Sequence, residues 1–193
     1  MATPSAFARK LAEIAQAQHT KFQFTNEAEP VLCKEIKRWT QAIGFTFESC
    51  TAVPWSAVFV SWCVKEAGAT KPEFKFAMAH SVFVNQAIKN ATSGVGVFQG
   101  FDISAQAPAV GDIIQNNRGG NTFNFNFAKT HANYLSHSAI VIEIGQDNQG
   151  GFAFCVGGNE SDSVRRTVVR LNAQGFIKQR DGNPFICVIK NLK

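Results

Sequence analysis

The hydrophobic pattern of this chain changes period near residue 97, and that change restricts the fold more than any other feature. Up to Lys89 apolar residues recur at helical spacing. Phe7, Leu11, Ile14 and Ala15 share one face of a helix predicted from Ser5 to Gln18, with Ser5 as its cap. A second helix is predicted over Glu27–Ile43, ending at Gly44, with Lys37 and Arg38 near its negative end. A third, from Trp55 to Ala67, closes at Gly68 and is apolar nearly all round, which makes it central. A fourth runs over Ala77–Lys89.

From Val97 onward, short runs rich in Val, Ile and Phe alternate with Gly, Asn and Asp turns, the pattern of strands and hairpins. Strands are predicted over Asp112–Asn116, Ser138–Ile144, Phe152–Gly157, Val164–Leu171 and Phe185–Lys190, with Gly145–Gly150 as a hairpin turn. Helices first and antiparallel strands afterwards define an α+β fold. The polar and aromatic stretch Arg118–Tyr134 is an insertion, either a hairpin or a loop. A chain of 193 residues with 45% hydrophobic content can bury one sizeable core. Residues 1–48 form a helical elaboration on a main unit spanning 49–193.

The net charge of +5 favours an anionic partner, but the basic residues are scattered and have no aromatic platforms between them, so nucleic-acid binding is not indicated. No apolar run approaches membrane-spanning length, and the first residues lack the apolar core of a secretory signal. The expectation is a chain that is cytoplasmic as synthesised, reaching the periplasm or cell wall only by a non-standard route. Cys33, Cys50, Cys63, Cys155 and Cys187 are odd in number and contain no Cys-x-x-Cys pair, so neither a disulfide framework nor a zinc site is expected. Each is read as a buried structural thiol in a reduced compartment. No metal and no cofactor are expected.

Ser56 stands at the start of the central helix, where unpaired N–H groups and the positive dipole end favour a developing anion. His137 opens a later strand and Asn159 follows Gly157-Gly158. If those strands pair as a hairpin, Asn159 comes within reach of His137. A nucleophile at a helix start, a histidine on a facing strand and a polar group orienting it make up a Ser56-His137-Asn159 catalytic site. His80 and His131 are further candidate bases, Arg118 can hold a carboxylate or phosphate, and His19 is read as a surface residue. For His80 a structural hydrogen bond competes with a place in the site, and for Arg118 a solvent-facing turn does. Asp112 is read as organising backbone at a strand entry. Cys63 lies two turns along the helix from Ser56 and cannot replace it.

Pro54–Val60, Pro108–Ile113 through Gly111-Asp112, His137–Val141 and Asn159 follow one another in an order that resembles the CHAP and NlpC branch of papain-like cell-wall amidases and peptidases. The likeness spans roughly residues 50–160. Trp55-Ser56, Val156–Asn159 and Ser163-Val164 resemble in particular an uncharacterised bacterial branch with Trp-Ser at the nucleophile position. The resemblance implies a papain-like fold, with the nucleophile helix packed on an antiparallel sheet. It also implies hydrolysis of amide bonds in peptidoglycan or a related peptide, with Trp55, His80 and Arg118 at the substrate. Serine replaces the cysteine of the better-known relatives. Three readings follow: a serine hydrolase, an inactive binding relative and an engineered Cys-to-Ser replacement. A secreted antibacterial effector or phage lysis protein is a further reading, with an immunity or inhibitor protein as its partner.

Overall fold

The computed structural model describes residues 3–193. Among these, four helices come first: α1 (Ala6–Phe22), α2 (Pro30–Ala42), α3 (Ser56–Ala67) and α4 (His80–Ser93). Strands β1 (Phe98–Asp102) and β2 (Ile113–Asn117), the short helix α5 (Phe125–Thr130), and strands β3 (Ser136–Asp147), β4 (Gly150–Glu160), β5 (Ser163–Leu171) and β6 (Phe185–Asn191) follow. The strands form one antiparallel sheet in the order β1-β6-β2-β3-β4-β5. The protein is therefore α+β, as the change of period implies. Among the described residues no helix is long and apolar enough to cross a membrane.

The local signals that act through neighbouring backbone hold. Ser5 caps α1, its hydroxyl accepting from the Ala8 N–H at 3.1 Å. Gly68 ends α3 in the left-handed conformation, at φ 112°. Asp112 organises the entry to β2: its carboxylate accepts from the backbone N–H groups of Ala109 (2.7 Å) and Asn191 (2.8 Å) and pairs with Lys190. Burial pushes that carboxyl group upward, against the pull of Lys190 and these donors.

Helix α3 is buried along nearly its whole length, between α1 and α2 on one side and strands β3 and β4 on the other. Trp39 of α2 anchors it, stacking on Trp62 at 5.2 Å and meeting Phe59 edge-on at 5.6 Å. The main core joins α1 and α2 to the helix-facing side of the sheet, so the segments 1–48 and 49–193 share one interior. A second apolar layer, including Ile114, Ala139, Val141, Cys155 and Val169, covers the opposite sheet face.

Two departures from the sequence reading concern the fold. Cys33 and Cys50 form a disulfide that ties α2 to the loop before α3, so these two are not free structural thiols. Their pairing depends on how α2 folds back on that loop, which spacing does not encode. Cys63, Cys155 and Cys187 are free and buried as expected. Strand β1 was not anticipated: its Phe-Gln-Gly-Phe-Asp sequence lacks clean alternation, and it pairs only with β6 at the far end of the chain. The 118–134 insertion is mostly loop around the single turn-and-a-half of α5.

Candidate functional site

The site forms where the N-termini of α3 and α4 converge at the ends of β3 and β4. Neither helix has a side-chain cap. Ser56 opens α3 and His80 opens α4, and the Ser56 hydroxyl lies 2.7 Å from His80 Nε2. Both residues are buried, Ser56 with 2% of its surface exposed. The His80 imidazole is held well below its ordinary value, mainly by burial and further by the facing His137 and Arg118. It is therefore neutral at pH 7, the state in which Nε2 can take a proton. Its other nitrogen, Nδ1, is buried with no hydrogen-bond partner.

Among the described residues His137 makes no hydrogen bond to Ser56. Along β3 it alternates with Ala139 and Val141, which belong to the sheet face away from the helices. Its Nε2 meets Glu160 Oε1 at 2.8 Å, and the pair lies over Gly157. A Cβ at Gly157 would sit 2.3 Å from that Glu160 oxygen and 2.8 Å from His137 Nε2. The two histidines meet around the strand ends, with ring centroids 5.2 Å apart at 62°. The neighbouring Gly158 faces the helices, where a Cβ would lie 2.6 Å from both Phe59 Cβ and the Trp55 ring. Consecutive glycines thus let β4 approach the His137–Glu160 pair on one face and α3 on the other.

Asn159 is the residue expected to orient His137, and Glu160 occupies that place. The β4–β5 register shifts between Gly157 and Glu160, and Asn159 takes a left-handed φ of 55°. This bulge interrupts the strand's alternation, so that Glu160 reaches His137 while Asn159, at the edge of the same cavity, bonds elsewhere. Asn159 Nδ2 donates to Glu27 Oε2 at 2.8 Å, while its Oδ1 accepts from Arg118 at 3.4 Å. The same Glu27 oxygen accepts from the Trp55 indole N–H at 2.7 Å. Trp55 is 1% exposed, so it fixes the helix start from inside rather than touching substrate at the surface. Arg118 is half-buried beside Asn159 instead of lying in an open turn.

His131 lies outside the site, stacked on Phe127 at 3.9 Å and exposed. His19 is half-buried on α1, with its imidazole lowered by burial and by Arg166 and Arg165. Sequence reasoning missed Glu27 and Glu160. Glu160 stands next to the predicted Asn159 and is hidden only by the bulge. Glu27 carries no local signal, since its partners lie 28 and 132 positions away.

A cavity of about 250 Å³ opens on the sheet face away from the helices, bordered by Arg118, His137, Asn159, Glu160 and Arg180. Ser56 and His80 do not line it. Among the described residues no group of three His, Cys, Asp or Glu side chains is placed to hold a metal ion.

The chain matches no curated protein and no solved structure. A family model described as "Uncharacterized protein conserved in bacteria (DUF2272)" matches residues 25–187, a span that contains Glu27, Ser56, His80, His137 and Glu160. The chain therefore belongs to the DUF2272 family of bacterial proteins.

Proposed function

We propose that this protein hydrolyses amide bonds in peptidoglycan or a related peptide, with Ser56 as nucleophile and His80 as the group that receives its proton. The observation that carries this reading is the 2.7 Å Ser56–His80 hydrogen bond at the junction of two uncapped helix N-termini. Ser56 Oγ attacks the amide carbonyl carbon while its proton passes to His80 Nε2. The unpaired N–H groups at the start of α3 stabilise the oxyanion. His80 then returns the proton to the departing amine, and water cleaves the acyl ester. No cofactor is needed. The His137–Glu160 pair stands against His80 and adjusts the electrostatics around it.

The substrate class rests on the motif order Pro54–Val60, Gly111-Asp112 and His137–Val141, which resembles papain-like cell-wall amidases. The placement of α3 on an antiparallel sheet agrees with a papain-like layout. The Cys33–Cys50 bridge favours an oxidising compartment, and so an exported role such as an antibacterial effector or lysis protein. A second reading, an inactive relative that binds cell-wall fragments or a protein partner, is favoured by one observation: Ser56 is buried and outside the cavity.

Mass spectrometry of peptidoglycan fragments separates the two. The hydrolase reading expects new fragments with the natural chain and none with Ser56→Ala or His80→Gln. Fragments that persist in Ser56→Ala would remove Ser56 from the chemistry, and no turnover with measurable binding would favour the binding module.

A further inference from the structure

We infer that the cavity on the far face of the sheet is a recognition site for a carboxylate adjoining an amide, gripped by Arg118 and Arg180. The inference goes beyond the hydrolase reading, since Ser56 and His80 lie outside this cavity and the binding it describes requires no turnover.

The cavity has an apolar floor of Ile114, Ala139 and Val169 and a polar rim. Two guanidinium groups stand on that rim with most of their donors unspent. Arg118 makes one long contact, 3.4 Å to Asn159 Oδ1. Arg180 donates from Nε to the Asn183 carbonyl at 3.2 Å, and its plane is held 4.3 Å over the Phe185 ring. Among the described residues neither arginine has a carboxylate within ion-pair distance. Glu160, the nearby acid, is already bonded to His137. Planar guanidinium forks with free N–H groups match a carboxylate in geometry as well as charge.

The rest of the rim suits an amide. Asn116 Nδ2 is bonded to the Asn117 carbonyl and Asn183 Oδ1 to the Gly120 N–H, which leaves Asn116 Oδ1 as an acceptor and Asn183 Nδ2 as a donor on the rim. A phosphate dianion has no N–H to offer the carboxamide acceptor, whereas an amide has one. The positive-φ non-glycine residues of the described chain are Asn159, Ser161, Asp162 and Asn183, and all except Asp162 line this cavity, with Asp162 next to it. Ser161 and Asp162 form the two-residue turn between β4 and β5, where positive φ is the ordinary geometry, so the bulge residue Asn159 and the loop residue Asn183 are the two positions that shape the cavity wall from outside that turn.

The carboxylate can come from a peptide C-terminus or from an acidic side chain, and the test distinguishes these sources. NMR titration of the Ser56→Ala chain would use N-acetyl-dialanine, N-acetyl-glutamic acid amide with its free side-chain acid, N-acetyl-dialanine amide and inorganic phosphate. The expected result is that at least one acid shifts the Arg118 and Arg180 side-chain signals and binds about tenfold tighter than the neutral amide. Arg118→Gln and Arg180→Gln would each lose that preference, and Arg180→Lys would restore part of it. Arg180 is exposed, so an unchanged melting temperature would separate lost recognition from lost folding. Equal binding of acid and amide, no binding of either acid, preference for phosphate, or full binding in both glutamine variants would overturn the inference. Because turnover plays no part, failure here leaves the Ser56 chemistry standing, and failure of that chemistry leaves this result standing.

Discussion

Glu27 and Asn159, 132 positions apart in the chain, are joined by a 2.8 Å hydrogen bond from the Asn159 amide to Glu27 Oε2. The same oxygen holds the Trp55 indole N–H at 2.7 Å. One buried carboxylate thus ties the segment before α2, the start of α3 and the bulge in β4 together. Glu27→Leu strands the buried Trp55 donor at an expected cost of about 1–3 kcal/mol, while the half-buried Asn159 amide at the cavity edge can turn to water. Urea denaturation measures that cost. A loss smaller than that for a single stranded donor would mean the two bonds contribute nothing net.

Gly158→Ala tests the contact between β4 and the start of α3. The new Cβ would fall 2.6 Å from Phe59 Cβ and the Trp55 ring, so strand or helix must move. The expected destabilisation is about 1–3 kcal/mol, with a changed tryptophan emission spectrum as Trp55 shifts. A variant with wild-type stability and spectrum would show that the contact yields without strain.

The buried His80 makes stability depend on pH. Its folded-state value lies below the unfolded one, so between the two values the unfolded chain binds the extra proton. Stability is therefore full above about pH 6.5 and falls as pH drops through that window. His19 is lowered as well and contributes in the same direction. His80→Gln removes only the first contribution, so its unfolding free energy should fall less steeply from pH 7 to pH 5 than that of the natural chain. Parallel curves would contradict a neutral buried imidazole.

The disulfide predicts both a thiol count and a stability difference. Unfolded without reductant, the chain should expose three thiols, Cys63, Cys155 and Cys187, and five after reduction. The bridge closes a short loop of sequence separation 17, for which chain entropy predicts a contribution of about 3 kcal/mol. Five thiols in the unreduced protein would eliminate the bridge.

What was legible in the sequence depended on short-range physics. The Ser5 cap and the Gly68 stop act within a few residues, and the Asp112 strand entry does so through the Ala109 N–H while also holding the distant Asn191 and Lys190; each is where the pattern puts it. The apolar run of α3 announced its burial because a helix without a polar face has nowhere else to go. The site was legible in its members and less so in its pairings. Ser56, His80, His137, Asn159 and Arg118 do gather at one end of the sheet, yet Ser56 meets His80, and His137 meets Glu160.

The sequence by itself determined the α+β class, the central helix and most of the polar residues around its start, because periodicity and capping are written in neighbouring side chains. Only the tertiary structure decided which of those residues touch. A one-residue bulge in β4 brings Glu160 rather than Asn159 onto His137, since strand alternation has a period of two and a single insertion interrupts it. The Glu27 bonds and the Cys33–Cys50 bridge likewise join segments that meet only after α2 folds back toward α3, a relation that no local spacing contains.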